Sequence, residues 1–154
     1  MIFVTVGTCE PFERLMCAVE TLDLRERVIV QRGLSRTSPR GAETTDFLPY
    51  PRLVELVREA RVVVTHAGVG TVLTALLNGV KPVVVPRLRE CGEAVDDHQL
   101  ELADRLRQLG LVTAVRDTGQ LAAAVQDGSV RKQRIRVGET LVDELRSFID
   151  QAAA

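Results

Sequence analysis

The residues best placed to do chemistry stand in Val62-Val63-Val64-Thr65-His66-Ala67-Gly68-Val69-Gly70-Thr71, an apolar run that ends in a glycine-rich turn and passes into a helical pattern. The first turn of a helix leaves backbone N–H groups unpaired, and its dipole adds an attraction for anions of about 0.3–1 kcal/mol. Glycines permit close backbone approach, while His66 and the Thr71 hydroxyl add side-chain donors, so the pattern reads as a diphosphate site. A GxG by itself more often only lets a helix pack close to a sheet. Position favours binding here. Ligands of open α/β sheets lie outside the carboxyl ends of the strands, and this turn leaves what is expected to be a central strand. It is neither a dinucleotide fingerprint nor a Walker A loop, because the third glycine of GxGxxG is missing and no Gly-Lys-Thr follows.

A second cluster, residues 86–99, follows the next strand and holds Arg87, Arg89, Glu90, Glu93, Asp96, Asp97, His98 and Gln99. Such side chains can hydrogen-bond a polyhydroxylated ligand, and Arg87 or Arg89 can pair with a carboxylate or phosphate. The alternative is an exposed charged loop whose Asp96 or Asp97 caps the following helix. The residue types leave both open. Asp96 and Asp97 also suggest magnesium or manganese, but a helix terminus can already neutralise phosphates, so no metal is expected. Ser35, Ser38, Ser129 and Ser147 lack the G-x-S-x-G elbow, and neither His66 nor His98 has an assignable nucleophile, which leaves no hydrolytic triad.

The elements around these clusters are those of an α/β domain. Short Val/Ile-rich runs predict strands at residues 2–6, 28–31, 45–48, 62–65, 82–85 and 111–115, continuous enough in apolar character to be covered on both faces. Between and after them, helical patterns cover residues 12–21, 51–60, 70–77, 97–109, 119–126 and about 138–151. In the fourth helix Leu100, Ala103, Leu106 and Leu109 recur every three residues. Residues 33–43 are a loop by composition. The expected fold is a Rossmann-like, mostly parallel sheet of about six strands with helices on both faces, built as a single domain from residues 1–154.

Composition narrows the partners. Twenty Lys and Arg against 21 Asp and Glu give a net charge of −1, so no global field favours nucleic acid or an anionic membrane. Cys9, Cys17 and Cys91 are odd in number and form no CxxC, which argues against a disulfide framework and a zinc site. The N-terminal residues carry no signal-peptide pattern, and a cytoplasmic location is expected. Residues 62–80 carry no Lys, Arg, Asp or Glu, but their glycines, His66 and Asn78 fit a strand, turn and buried helix better than a membrane span.

Taken together, four motifs resemble one family: Ile2-Phe3-Val4-Thr5-Val6-Gly7-Thr8 with Pro11-Phe12; His66-Ala67-Gly68-Val69-Gly70-Thr71; Val83-Val84-Val85-Pro86-Arg87; and Gly92-Glu93 with Asp97-His98-Gln99. They resemble the C-terminal domain of family 28 glycosyltransferases, and within it the small separate subunits of bipartite transferases of exopolysaccharide synthesis and the dolichol pathway. The resemblance implies the Rossmann-like C-terminal lobe of a GT-B enzyme, with UDP-sugar as co-substrate and neither cofactor nor metal. On the matching positions, it places Gly7 and Thr8 on the phosphate side of the cleft. The diphosphate falls to His66, Gly68, Val69, Gly70 and Thr71, and uracil to the backbone near Phe47 and Leu48. His98 and Gln99 meet donor sugar hydroxyls, with Glu93 a weaker candidate nearby. Many relatives have a ribose-gripping glutamate where this chain has Thr74, whose hydroxyl is a weaker partner.

The resemblance further implies a half-enzyme. It would transfer a hexose, hexuronic acid or N-acetylhexosamine from a UDP-sugar to a lipid-linked or polysaccharide acceptor, in exopolysaccharide synthesis by preference. The alternative is a non-catalytic UDP-sugar-binding module that regulates or stabilises a transferase. No catalytic base is assigned, since it is expected on a membrane-associated partner carrying the acceptor lobe. That partner would hold this chain at the inner face of the membrane. The apolar stripe Leu141, Leu145, Phe148 and Ile149 suits either such a partner or the domain's own sheet.

Overall fold

A computed structural model describes residues 1–22 and 25–127. Six strands form one sheet: β1 (Ile2–Thr5), β2 (Val28–Gln31), β3 (Glu43–Thr45), β4 (Val62–His66), β5 (Val83–Val85) and β6 (Thr113–Ala114). They are ordered β3-β2-β1-β4-β5-β6, and every neighbouring pair is parallel. Five α-helices connect or follow them: α1 (Glu13–Glu20), α2 (Tyr50–Glu59), α3 (Val69–Leu77), α4 (His98–Gln108) and α5 (Leu121–Gln126). The chain runs outward from β1 through β2 to β3, then returns to the other side of β1 as β4. The connections reverse between β1 and β4, which opens a crevice at their carboxyl ends.

Alternation along each strand divides the core. Ile2, Val4, Val28, Val30, Val62 and Val64 face α1 and α5, where Phe12, Leu15, Met16, Val19, Leu121 and Val125 cover them. Phe3, Ile29 and Val63 face the other way, onto Leu56 and Val57 of α2 and Ala75 of α3. Val84 meets Val72 and Leu76 of α3 and Leu102, Ala103 and Leu106 of α4. Helices therefore cover both faces, and each fully buried Val or Leu contributes about 1.5–3 kcal/mol.

Two sequence expectations need correction. The third strand is Glu43–Thr45 rather than residues 45–48. As an edge strand it is covered incompletely and needs no apolar run; Phe47 is half exposed beyond it, and Leu48 packs onto the α2 face of the core. In α4 the buried stripe is Leu102, Ala103 and Leu106, whereas Leu109 is exposed and Leu100 half-buried. The helix expected at about 138–151, with its apolar stripe, lies outside the described residues. Among the described residues no helix is long and apolar enough to cross a membrane.

Candidate functional site

The crevice at the switch point is a cleft of about 640 Å³. Three chain segments supply most of its lining: the turn after β1, the turn from β4 into α3, and the loop between β5 and α4.

Glycines bring the first two together. Gly7 has φ +79°, and a β-carbon there would lie 2.7 Å from Cε1 of His66. A β-carbon on Gly68 would overlap Nε2 of the same ring. The imidazole thus lies between two glycine backbones, and a side chain at either would displace it. Gly33, at φ +58°, repeats the device one strand further out, since a β-carbon there would press on the Gly7 carbonyl. Gly70 differs, because nothing lies within 4 Å of a β-carbon built on it and it is exposed at the mouth of the cleft.

His66 is uncharged at neutral pH. Burial pushes its pKa down to about 4, helped by the positive charge of Arg87. Beside it α3 begins with Gly68 as N-cap and no side-chain cap, and the first helical bond runs from Val72 N–H to Gly68 O at 3.0 Å. The N–H groups of the first turn therefore remain for a ligand, with the positive end of the helix dipole behind them. The Val69 side chain packs against the core and does not line the cleft.

Arg87 is buried, only 4% exposed, and its guanidinium serves the β1 turn. It donates to Val6 O at 3.1 Å, to Glu10 O at 2.7 Å and to Pro11 O, and lies 4.5 Å above the Phe12 ring. Phe12 N–H in turn donates to the buried Ser35 Oγ at 2.8 Å. Arg87 lines the cleft, as the sequence suggested, but three of its guanidinium donors already go to these three carbonyls. Arg89 is exposed and does not line the cleft.

The β5–α4 loop is held in the same manner. Arg14 of α1 grips Glu93 with two hydrogen bonds of 2.9 and 2.8 Å, and also donates to Pro86 O and Arg116 O. Glu93 accepts a further bond from Leu88 N–H at 3.0 Å. This carboxylate orders the loop at the cleft wall. Gln99 Oε1 accepts from Arg87 N–H at 3.1 Å, which ties the first turn of α4 to the end of β5. The N-cap of that helix is Asp97, with no side-chain cap; Asp96 before it accepts from His98 N–H at 3.1 Å and pairs with His98 Nδ1 at 2.7 Å. The pair is exposed; the hydrogen bond to the carboxylate raises the pKa of His98, and the same bond lowers that of Asp96.

Of the residues expected at the site, the structure brings Gly7, Thr8, His66, Gly68, Gly70, Thr71, Glu93 and Gln99 to one cleft. Phe47, Leu48, Val69, Thr74 and His98 do not line it. Thr74 is 7% exposed and its hydroxyl donates to Gly70 O at 2.8 Å, so its side chain is turned into the helix. Sequence reasoning missed Thr5 and Gln31 at the cleft floor and Leu53 of α2 at its side. The available signal was a polar residue closing an otherwise apolar strand, in Ile2-Phe3-Val4-Thr5 and Val28-Ile29-Val30-Gln31.

Residues 1–142 match the glycosyltransferase family 28 C-terminal domain. The chain belongs to that family. It is 35% identical over 122 residues to the human UDP-N-acetylglucosamine transferase subunit ALG13, an alignment covering 71% of this chain and 10% of that protein. The chain thus spans about a tenth of that curated relative. Among solved structures, the NMR structure of ALG13 superposes with a TM-score of 0.67 at 18% identity, covering 99% of this chain and 96% of that one. The Streptomyces nogalater glycosyltransferase SnogD gives 0.62 at 21% identity, over 99% of this chain and 42% of SnogD. This family 28 domain has the fold of the C-terminal lobe of GT-B glycosyltransferases, and its cleft lies at the carboxyl ends of β1 and β4, where the strand order reverses.

Proposed function

We propose that this family 28 domain binds a UDP-sugar and is the donor-binding, catalytic half of a two-component glycosyltransferase. The observation that carries the proposal is the donor set at the switch point. The uncapped first turn of α3, the positive-φ Gly7 and the neutral His66 converge on one cleft. Such a set neutralises a diphosphate and stabilises the UDP leaving group as negative charge develops on it. The hexose then extends toward the β5–α4 loop and Gln99.

No base is assigned to this chain. In this proposal the proton of the attacking hydroxyl goes to a group on a partner lobe. That ALG13 is named as a subunit of a UDP-N-acetylglucosamine transferase supports a two-component arrangement. The partner brings a lipid-linked or polysaccharide acceptor and holds this domain at the inner membrane face. The donor-dependent step runs without a divalent metal.

Calorimetry of UDP on the purified chain tests the reading. Binding that weakens at least about tenfold in Gly70→Leu, with an unchanged fold, is expected. Transfer assays then separate a catalytic half from a binding module: turnover is expected only with the partner, and is expected to fall with Gly70→Leu. Turnover by the partner alone, indifferent to this chain's cleft, would leave only a stabilising module.

A further inference from the structure

Among the described residues three buried side-chain polar atoms lack any hydrogen-bond partner: Thr5 Oγ1, Gln31 Oε1 and Thr44 Oγ1. Two of the three belong to residues at the floor of the cleft. Thr5 is 0% and Gln31 2% exposed, and they are register partners on neighbouring strands, so both stand on the sheet face covered by α2 and α3. Thr44 pairs with Val30 and stands on the opposite face. Leaving a buried polar group unpaired costs about 1–3 kcal/mol, and natural cores seldom carry two side by side without use.

We propose that Thr5 and Gln31 form the ribose subsite of the cleft, taking the 2′- and 3′-hydroxyls of the nucleotide; this rests on the UDP-sugar reading above. Three observations select ribose over other parts of such a ligand. The groups are neutral, a hydroxyl and a carboxamide beside an uncharged imidazole, which suits a diol and not a phosphate. Their place follows from the sheet order. With the diphosphate on the turn after β4 and the hexose toward the loop after β5, the nucleoside extends the other way, over β1 and β2. Strands stand about 4.8 Å apart, so β2 is roughly 10 Å from β4, a span that suits the ribose next to a diphosphate. Finally, the other buried hydroxyl nearby, that of Thr74, is not available as an alternative, since it donates to Gly70 O, 2.8 Å away within its own helix. Leu53 supplies an apolar wall beside the pair. Gln31 Oε1 accepts from one ribose hydroxyl, and Thr5 Oγ1 exchanges a hydrogen bond with the other.

The test compares UDP with 2′-deoxy-UDP and 3′-deoxy-UDP by calorimetry on the purified chain, for wild type, Gln31→Met, Thr5→Val and Thr5→Ser. Wild type is expected to prefer UDP over at least one deoxy analogue by roughly tenfold, since each lost hydrogen bond to a buried group changes affinity by about three- to tenfold. Gln31→Met and Thr5→Val are expected to lose that preference by weakening UDP alone, with melting temperatures unchanged or raised because an unpaired buried polar atom has been removed. Thr5→Ser is expected to keep the preference. UDP binding by wild type with no discrimination among the three nucleotides, or equal weakening of all three in the variants, overturns the subsite and leaves the UDP-sugar reading standing. No UDP binding by wild type overturns that reading, and the subsite with it.

Discussion

The imidazole of His66 fills the space into which a β-carbon on Gly68 would project. Two residues later, at Gly70, the corresponding space is open. The two glycines of this motif therefore serve different ends, and substitution separates them. Gly68→Ala is expected to displace the ring and to weaken UDP binding by at least about tenfold. Gly70→Ala is expected to stabilise α3 by up to about 0.5–1 kcal/mol through reduced backbone entropy, leaving His66 in place. Gly7→Ala combines a collision with positive φ and is expected to cost about 1–3 kcal/mol. Thermal melts and titrations on the three variants check this; identical behaviour of Gly68→Ala and Gly70→Ala would refute the distinction.

Stability is expected to fall with acidification earlier than carboxylates alone require. The folded pKa of His66 is about 4 against an ordinary 6.5, so between those values the unfolded chain binds a proton that the folded chain refuses. The stabilising difference is complete above about pH 6.5 and shrinks toward pH 4, by up to roughly 3 kcal/mol in total. His98 acts oppositely, since its raised pKa favours the folded state at low pH, but its exposed pair with Asp96 counts for little. Glu26, held near 2 chiefly by its hydrogen bond with Arg61, adds its own loss only below about 4.5. A pH series of melting curves is expected to flatten between pH 6.5 and 4.5 in His66→Gln; an unchanged slope would contradict a buried neutral imidazole.

The apolar strands and the switch-point turn were legible in the sequence because both rest on local pattern: five apolar runs, and a GxG following one of them. The edge strand was not, because an edge half in solvent tolerates Glu43-Thr44-Thr45 and places its apolar Phe47 and Leu48 in the loop beyond. Arg87 and Glu93 were legible as residues of the cleft but not as its framework. Their partners, the Val6 carbonyl and the Arg14 guanidinium, are 81 and 79 positions away in sequence, and no local spacing encodes such contacts. Thr5 and Gln31 were missed because polarity at the end of a strand reads as a boundary until the register sets the two side by side.

Arg87 is expected to matter for architecture and not for choice of sugar. With its guanidinium bound to three carbonyls, UDP-glucuronate and UDP-glucose are expected to compete within about threefold of each other. Arg87→Met leaves those carbonyls unpaired and is expected to cost about 3 kcal/mol or more. Arg87→Lys restores a charge but not the fork, and is expected to fall between. A tenfold preference for the glucuronate that disappears in Arg87→Lys would return this residue to the ligand.

Reconstituted transfer is expected to keep nearly its full rate in the presence of a chelator, because backbone donors and the helix dipole already face the leaving diphosphate. A strict requirement for magnesium or manganese would instead call for oxygen ligands at Asp96 and Asp97.

The ion pair between Arg14 and Glu93 is the contact through which α1 sets the cleft wall. Arg14 makes four hydrogen bonds that join α1 to Glu93, to the end of β5 at Pro86 and to Arg116 after β6. The side chains are 20% and 10% exposed, so removing one partner strands a largely desolvated charge. Glu93→Gln is expected to cost about 2–4 kcal/mol, and Arg14→Met a similar amount. The double variant is expected to cost clearly less than the sum, since neither charge is then left alone. The functional consequence follows from position. Glu93 also accepts from Leu88 N–H and so fixes residues 88–93, which carry the cleft wall toward Gly92 and Ala94. Loosening that wall is expected to lower turnover with the partner while leaving UDP affinity within about threefold, because the diphosphate rests on the other side, at α3. Additive stability losses in the double-mutant cycle would remove the pair from the framework. Loss of UDP binding in Glu93→Gln would mean that the nucleotide itself lies against this loop.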